Sequence, residues 1–156
     1  MSLEATPEAG VDPCLAKAGE LLARRPHFRR ELAAKLAARG FAPESAERAL
    51  DRLQREGYLN DLDCARDLVA GSLRRKGYGP LRVRAELARR GAPEEVVEEV
   101  TSPLFGEAEA ETVLAVAQRW LARNPSATDR LARHLERKGF TSAAVRRVLR
   151  ETRGAG

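Results

Sequence analysis

The sequence predicts an all-α protein in which three three-helix repeats follow one another in an elongated or curved array. A phrase of two aliphatic residues four positions apart, then a basic residue and a glycine, occurs at 32–41, 83–92 and 131–140. It recurs about every 50 residues, a period typical of stacked helical units. Helix-forming Ala, Leu, Arg and Glu dominate the 156 residues, and no run of β-branched residues alternates with polar ones. Both observations favour helices over strands.

The first repeat is predicted at 14–57, after a tail at 1–13 that we expect to be disordered because it holds two prolines and three acids. The first helix stops before Pro26, since a residue that precedes proline avoids the α region. The second helix ends at Gly40, which supplies a left-handed stop. Pro43 suits the first turn of the third helix.

The second repeat is predicted at 58–101. Asn60 can cap a long helix, which we expect to run to Lys76. Pro80 is positioned to open the next helix, and Gly91 ends it. A third helix then runs to about Val100.

The third repeat is predicted at 107–153, after a linker at 102–106 that contains proline and glycine. Its long helix spans 107–123 and is broken by Asn124 and Pro125. Ser126 is the expected cap of the second helix and Thr141 that of the third. The same plan of one long and two shorter helices is thus predicted three times, nine helices in all.

Aliphatic residues at matching positions of the three repeats predict the core, since they share one register relative to the repeat glycine. These residues are Leu36, Leu87, Leu135, Ala46, Val97, Val145, Ala49, Val100 and Val148. The single tryptophan, Trp120, is expected to fill the core of the third repeat; an exposed docking role is the alternative.

The charge pattern is more informative than the formal net charge of +5. Residues 23–39 carry six basic residues and one acid, and residues 71–91 carry seven and one. Residues 92–118 carry seven glutamates and no Lys or Arg, whereas 128–150 is basic again. Basic blocks that recur with the repeat predict a surface for a charged, extended partner. The alternative is that these blocks are only solvated helix faces rich in arginine.

Candidate binding residues are the cations of the first two basic blocks, together with a tyrosine in the turn of the second repeat. They are Arg24, Arg25, Arg29, Arg30, Lys35, Arg39, Arg74, Arg75, Lys76, Tyr78, Arg82, Arg84, Arg89 and Arg90. Guanidinium groups suit bidentate contacts to carboxylates and phosphates. Tyr78 can stack on a partner or pack against the preceding helix.

The sequence offers no constellation for catalysis, a cofactor or a metal. It has no phosphate-binding glycine loop, and its two histidines and two cysteines have no ligand spacing. Asp61, Asp63 and Asp67 resemble a metal cluster but are better interpreted as acids that favour the positive end of a helix. No membrane span or secretory signal is present. We expect a cytoplasmic, non-catalytic protein with two reduced thiols and no small-molecule substrate.

Three motifs resemble the signature of the RecX family of regulatory proteins. Residues 56–61 read EGYLND, residues 74–80 read RRKGYGP, and residues 84–91 read RAELARRG. Residues 22–26 and 36–41 are similar to the family's first repeat, and the resemblance extends over about 14–151. Two positions depart from the family pattern. Cys64 stands where the family usually has an aromatic residue, and Ser72 lies near a position that is usually basic.

The resemblance implies a modulator of the RecA recombinase. Family members bind the RecA–DNA filament, restrain strand exchange, ATP hydrolysis and coprotease activity, and act in DNA repair and the SOS response. Some also bind single- or double-stranded DNA without sequence preference. We therefore expect the RecA nucleoprotein filament as the partner of a monomeric chain.

Two other functions fit the residues. Three-helix units can present a recognition helix to the major groove, so the chain could be a sequence-specific, DNA-binding transcriptional regulator. Against this, no helix carries a compact cluster of Asn, Gln and Arg suited to base edges. A general helical-repeat scaffold for protein partners is the third hypothesis.

Overall fold

A computed structural model describes residues 12–154, and every regular element in that part of the chain is helical. The all-α prediction is confirmed. The first repeat contains α1 (Pro13–Arg24), α2 (Arg29–Ala38) and α3 (Pro43–Arg55). The second contains α4 (Asp61–Ala70), α5 (Ser72–Arg75), α6 (Pro80–Arg90) and α7 (Glu94–Thr101). The third contains α8 (Glu107–Arg123), α9 (Leu131–Lys138) and α10 (Ser142–Gly154), with short 3₁₀ turns at Ser102–Leu104 and Thr128–Arg130. The predicted disordered tail lies outside the described residues, apart from Asp12 and Pro13.

Side-chain caps begin several helices, and those of Asn60 and Thr141 are the predicted ones. Asp12 accepts a hydrogen bond from the Cys14 amide at 2.9 Å, and Asn60 accepts one from the Asp63 amide at 3.0 Å. The Thr141 hydroxyl accepts one from the Ala144 amide at 3.3 Å. Each cap satisfies an amide that has no partner within its own helix.

Two predicted helix boundaries are wrong. The long helix of the second repeat does not continue to Lys76, because Gly71 separates α4 from α5. A Cβ at Gly71 would lie 2.9 Å from the Asp67 carbonyl oxygen, so the backbone comes too close for a side chain. Ser126 does not cap α9, which begins only after the 3₁₀ turn, with Arg130 at its N-cap. Ala127, which lies between Ser126 and this turn, is buried, so the chain enters the core before α9 begins.

The chain divides into two compact units. Of the described residues, one unit holds those up to Cys64 together with Arg90–Ala92, and the other holds Ala65–Arg89 and those from Pro93 to Gly154. All of the predicted core residues are buried: Leu36, Leu87, Leu135, Ala46, Val97, Val145, Ala49, Val100 and Val148. Trp120 packs against the core of the second unit while remaining partly exposed. The exact limits of the three repeats stay a prediction.

Within the second unit, the turn before α6 packs directly on the end of α9 through backbone hydrogen bonds. The Gly79 amide donates to the Lys138 carbonyl at 2.7 Å, and the Leu81 amide donates to the Gly139 carbonyl at 3.0 Å. Gly139 has a φ of +96°, and a Cβ there would lie 2.2 Å from the Arg82 Cβ. The repeat glycine therefore stops α9 and also admits the neighbouring turn at a distance that a side chain would prevent.

Candidate functional site

Two predicted binding residues of the first repeat are already paired with acids. The Arg24 guanidinium lies 3.3 Å from Glu20, one turn earlier on α1. The Arg25 guanidinium pairs with Glu31 through two of its nitrogens. Glu31 in turn accepts a hydrogen bond from the Phe28 amide and so belongs to the start of α2. These two positive charges are largely compensated within the fold.

Arg29 is a structural residue of the first repeat. Its guanidinium contacts Glu47 and Asp51 and donates to the Gln54 side chain at 2.7 Å. Its backbone amide donates to the Asp61 carboxylate at 2.8 Å. These contacts tie the start of α2 to α3 and to the start of α4. Arg29 is therefore used by the fold rather than presented to a partner.

Lys35 is directed towards a buried histidine. Its ammonium lies 2.8 Å from Nε2 of His27, whose Nδ1 lies 3.0 Å from the Arg25 carbonyl oxygen. Burial lowers the pKa of His27, and the nearby positive charges of Arg25 and Lys35 lower it further. Nε2 of the neutral ring can then accept from Lys35. Arg30 and Arg39 are exposed, with no acid within 4.0 Å among the described residues.

The basic run of the second repeat is different because its charges are not compensated. Arg74 and Arg75 end α5, Lys76 follows as its C-cap, and all three are exposed. Among residues 12–154, no carboxylate lies within 4.0 Å of these cations. The charge of the run is therefore available to an anionic partner.

Tyr78 lies at the centre of a cluster of cations. The Arg82 guanidinium lies 4.4 Å from the centre of the ring, Lys138 5.6 Å and Lys76 5.7 Å. The hydroxyl accepts a hydrogen bond from Arg82 at 3.2 Å. An aromatic ring attracts cations to its face and so holds them together at lower cost than an aliphatic surface would. Neither predicted role of Tyr78 describes this arrangement, in which the ring organises neighbouring charges.

Backbone carbonyls fix two of these cations. Arg82 donates to the Arg137 carbonyl at 2.9 Å, and the Lys138 ammonium donates to the Lys76 carbonyl at 2.8 Å. These are the carbonyls of helix ends, where the helix dipole favours a positive charge. The side chains are thereby held in place while much of their hydrogen-bonding capacity remains unused.

A cleft of about 440 Å³ opens beside the Tyr78 turn, between it and α8 and α9. We call it the Tyr78 cleft. Its charged lining residues are all cationic: Arg75, Lys76, Arg119, Arg123 and Lys138. Besides Tyr78, the lining includes two residues with rings, Trp120 and His134. Their rings stack with centroids 4.8 Å apart and planes inclined by 20°. A neighbouring cleft of about 750 Å³ shares Arg75, Tyr78 and Arg119 and includes one acid, Glu111.

The concentration of positive charge perturbs titration in the Tyr78 cleft. Burial lowers the pKa of Lys138, and the adjacent Arg82 and Arg119 lower it further. Burial likewise lowers the pKa of His134, with Lys138 and Arg137 adding to the effect. Like charges held together with little acidic compensation favour the binding of an anion.

Three cations of this cleft were missed by the sequence prediction. Arg119 and Arg123 lie one turn apart near the end of α8, and Lys138 ends α9. All three belong to the third repeat, which the prediction set aside because the acidic stretch precedes it. The four-residue spacing of Arg119 and Arg123 places them on one helix face, and this was the available signal.

The other predicted residues of α6 are partly used by the fold. Arg84 lies 3.4 Å from Glu98 and 4.9 Å from the centre of the Phe105 ring. Arg89 pairs with Glu86 at 3.0 Å. Arg90 has a buried Nε without a hydrogen-bond partner in the described structure. Of the predicted residues, Arg75, Lys76 and Tyr78 line the Tyr78 cleft. Arg82 contacts the Tyr78 ring but is not part of that lining, and neither are Arg84, Arg89 and Arg90.

Between residues 12 and 154, His, Cys, Asp and Glu form no group of three or more that could hold a metal ion. No helix among these residues has the length and apolar character needed to cross a membrane.

The fold and the cleft define a helical-repeat protein with a cationic cleft. Comparison with known proteins then identifies the family. Residues 14–53 match the first three-helix domain of RecX, and residues 60–100 match the second. The chain belongs to the RecX family of regulatory proteins.

Relatives and solved structures agree with this assignment. Regulatory protein RecX of Thermus thermophilus is 49% identical over 126 residues, which cover 81% of this chain and 82% of that protein. The protein of the same name from Trichlorobacter lovleyi is 34% identical over 142 residues, covering 86% and 92%. The crystal structure of RecX from Lactobacillus salivarius superposes with a TM-score of 0.77 at 17% identity, over 88% of this chain and 93% of that chain. That structural likeness concerns the fold.

Proposed function

We propose that the protein binds the RecA–DNA filament and limits its recombinase, ATPase and coprotease activities in DNA repair and the SOS response. It acts in the cytoplasm as a non-catalytic monomer. Membership of the RecX family supports this function. The observation that carries the proposal for this chain is the uncompensated basic run Arg74–Lys76 beside the Tyr78 cleft.

The distribution of paired and unpaired cations indicates where the filament is contacted. In the first repeat, Arg24, Arg25 and Arg29 are held by acids of their own unit. Arg74 and Arg75 have no such partners among the described residues and remain exposed. A polyanionic filament gains most from cations that need not first break an internal ion pair. Arg30 and Arg39 of the first repeat are also unpaired but stand singly, whereas the second repeat presents three consecutive unpaired cations, Arg74–Lys76. We therefore take the second repeat as the principal contact surface.

The test is RecA ATPase activity on single-stranded DNA with substoichiometric amounts of this protein. We expect inhibition well below one molecule per recombinase protomer, because one bound regulator would affect an assembled polymer rather than a single subunit. The double variant Arg74→Glu, Arg75→Glu should raise the half-inhibitory concentration at least about tenfold, since each lost charge contact is worth roughly 1 kcal/mol.

A matched control has the same change of charge on another helix of the same unit. Arg146 and Arg150 are exposed on α10, one turn apart, and lie outside the Tyr78 cleft. Arg146→Glu with Arg150→Glu should leave inhibition within about twofold of the parent value, because exposed surface substitutions are close to neutral. If both double variants raised the half-inhibitory concentration equally, the effect would come from net charge alone, and the proposed contact surface would be contradicted.

The proposed partner has its own test. Failure to bind assembled RecA filaments under any nucleotide or DNA condition would refute the proposed function. A footprint on one defined duplex sequence would instead favour the transcriptional-regulator alternative, because sequence-specific readout protects a fixed site. Nonspecific binding that weakens steeply with salt agrees with the proposal, since phosphate contacts release counterions.

A further inference from the structure

We propose that the Tyr78 cleft is a binding site for single-stranded nucleic acid. In this site, Arg119 and Lys138 contact backbone phosphates, and a base lies against the Trp120–His134 pair. The inference deepens the proposed function, on which it rests, by naming single-stranded DNA as the part of the filament that this cleft contacts. The nucleic acid is recognised by charge and stacking, without base-edge readout.

The charges of the cleft suit a chain of phosphates. Five cations line it, and the lining includes no Asp or Glu. They come from three segments, which are the end of α5 with its C-cap, the end of α8 and the end of α9. Cations on separate segments around one concave surface can contact successive phosphates, whereas a single helix face would reach only one or two. A positively charged groove of this kind is typical of proteins that bind single strands.

The aromatic rings favour a single strand over a duplex. Trp120 is half-buried and stacks on His134 inside the cleft, so its indole forms part of a concave wall. Bases in a duplex are stacked on one another and present only their edges. Bases in a single strand can lie against a protein ring, and such stacking tolerates any sequence. A cleft of about 440 Å³ is of a size typical of small-ligand pockets, large enough for one nucleotide but not for a base pair stacked in a helix.

Contacts within the fold hold the groups of the Tyr78 cleft in place. The Lys138 ammonium is held by the Lys76 carbonyl at 2.8 Å, and the Lys138 carbonyl accepts from Gly79 at 2.7 Å. An ammonium has three donors, so two remain after the contact with Lys76. Because these groups are already ordered, the free-energy cost of ordering side chains on binding is reduced.

The site is tested by direct binding of oligothymidylate of about 12 nucleotides, in the absence of recombinase. Trp120 is the only tryptophan of the chain, so its fluorescence reports from the cleft itself. We expect quenching on binding. The oligothymidylate should also bind about tenfold more tightly than an abasic oligonucleotide of equal length or a duplex, because these lack an accessible base. Polyglutamate tests an acidic peptide as the occupant instead and should not quench.

Variants separate the two parts of the site. Lys138→Met and Arg119→Gln should each weaken oligothymidylate binding about tenfold. The salt slope, that is, the slope of the logarithm of the binding constant against the logarithm of the salt concentration, should fall in magnitude by about 0.7, the value for one lost phosphate contact on a single strand. Trp120→Leu lacks the fluorophore, so its binding is followed by the anisotropy of a dye-labelled oligonucleotide, with the parent measured in the same way. This variant should lose the preference over the abasic strand and keep the salt dependence of the parent. Arg123→Gln is a third charge variant, at the exposed end of α8, where folding is least affected, and it should weaken binding in the same way. Arg146→Gln on α10 is the control and should bind as the parent does.

Several results would overturn the inference. They are equal affinity for oligothymidylate, abasic strand and duplex, quenching by polyglutamate at lower concentration, and unchanged binding by all of the cleft variants. The two proposals fail separately. If the Lys138→Met variant inhibits RecA ATPase fully and the parent binds no oligothymidylate, the cleft assignment is wrong and the proposed function stands. If the parent binds oligothymidylate at the cleft but never affects RecA filaments, the proposed function is wrong and the cleft assignment stands.

Discussion

Replacing Gly139 with alanine should disrupt the docking of the Tyr78 turn on α9. Gly139 has a φ of +96°, and an added Cβ would lie 2.2 Å from the Arg82 Cβ and 2.4 Å from the Arg82 amide nitrogen. The second of these is a backbone atom and cannot move as a flexible side chain would. Gly40 is the matched position in the first repeat, with a φ of +88° and no atom within 4 Å of an added Cβ.

Both substitutions lose stability through the left-handed backbone, whereas only Gly139→Ala also loses it through packing and hydrogen bonding. A left-handed backbone disfavours alanine by about 1–2 kcal/mol at both glycines. At Gly139 the overpacking adds about 1–3 kcal/mol. The backbone hydrogen bonds from Gly79 and Leu81 would also be strained or lost, at about 1 kcal/mol each. The total is about 1–2 kcal/mol for Gly40→Ala and about 4–7 kcal/mol for Gly139→Ala.

Urea unfolding measures this difference. Far-UV circular dichroism follows both variants, and Trp120 fluorescence follows the third repeat, to which Gly139 belongs. Each probe is fitted separately, because a chain with two compact units need not unfold in one step. Equal losses of stability in the two variants would refute the reasoning, as would an unchanged fluorescence midpoint for Gly139→Ala.

Three further substitutions test contacts elsewhere. Glu109 is 5% exposed and accepts hydrogen bonds from the Thr141 amide at 2.7 Å and hydroxyl at 3.0 Å, so Glu109→Ala should cost about 2–4 kcal/mol in urea unfolding. Burial lowers the pKa of His27, so the folded state binds fewer protons, and stability should fall as the pH drops below about 6.5. His27→Gln should reduce this loss between about pH 7 and pH 5, where the limiting slope is about 1.4 kcal/mol per pH unit. Arg29→Ala should cost about 1 kcal/mol, with an effect that shrinks at high salt, and should leave RecA inhibition within about twofold.

Each of these predictions has a reference. Glu111→Ala, on the exposed side of α8, should change stability by less than about 0.5 kcal/mol, and a loss equal to that of Glu109→Ala would contradict the capping role. Burial also lowers the pKa of His134, which titrates in both the parent and the His27 variant and so cancels in their difference. If the stability of the parent and of His27→Gln depended on pH in the same way, His27 would not be the source of the loss at low pH. Arg24→Ala is the exposed reference for Arg29, and equal effects would contradict its structural role.

The helices could be predicted because their limits are set by local chemistry. Proline at a first turn and glycine at a left-handed stop act within a few residues, and these signals located α2, α6 and α8 closely. The break at Gly71 could not be predicted in this way, since an isolated glycine is tolerated within a helix. At the break Gly71 has a φ of −103° and a ψ of −102°, a non-helical conformation that only the folded backbone shows.

The site could be predicted only in part, because ion pairing depends on residues distant in sequence. The pairing of Arg24 with Glu20, four positions away, could be predicted from helical spacing. The pairing of Arg29 with Asp51 depends on how α2 packs on α3 and could not. The contribution of Lys138 likewise depends on the docking of the turn on α9. A count of charges finds the cations, whereas the fold decides which of them stay uncompensated.

The crowding of cations around Lys138 sets the proposed function of the Tyr78 cleft against the stability of the fold. Burial and the neighbouring Arg82 and Arg119 already disfavour the charge of Lys138. A chain selected only for resistance to heat would lose such a residue, because neutralising a disfavoured charge stabilises a fold. Positions where neutral substitutions raise the melting temperature should therefore mark the binding surface. A thermal-stability screen could map that surface before any ligand is added.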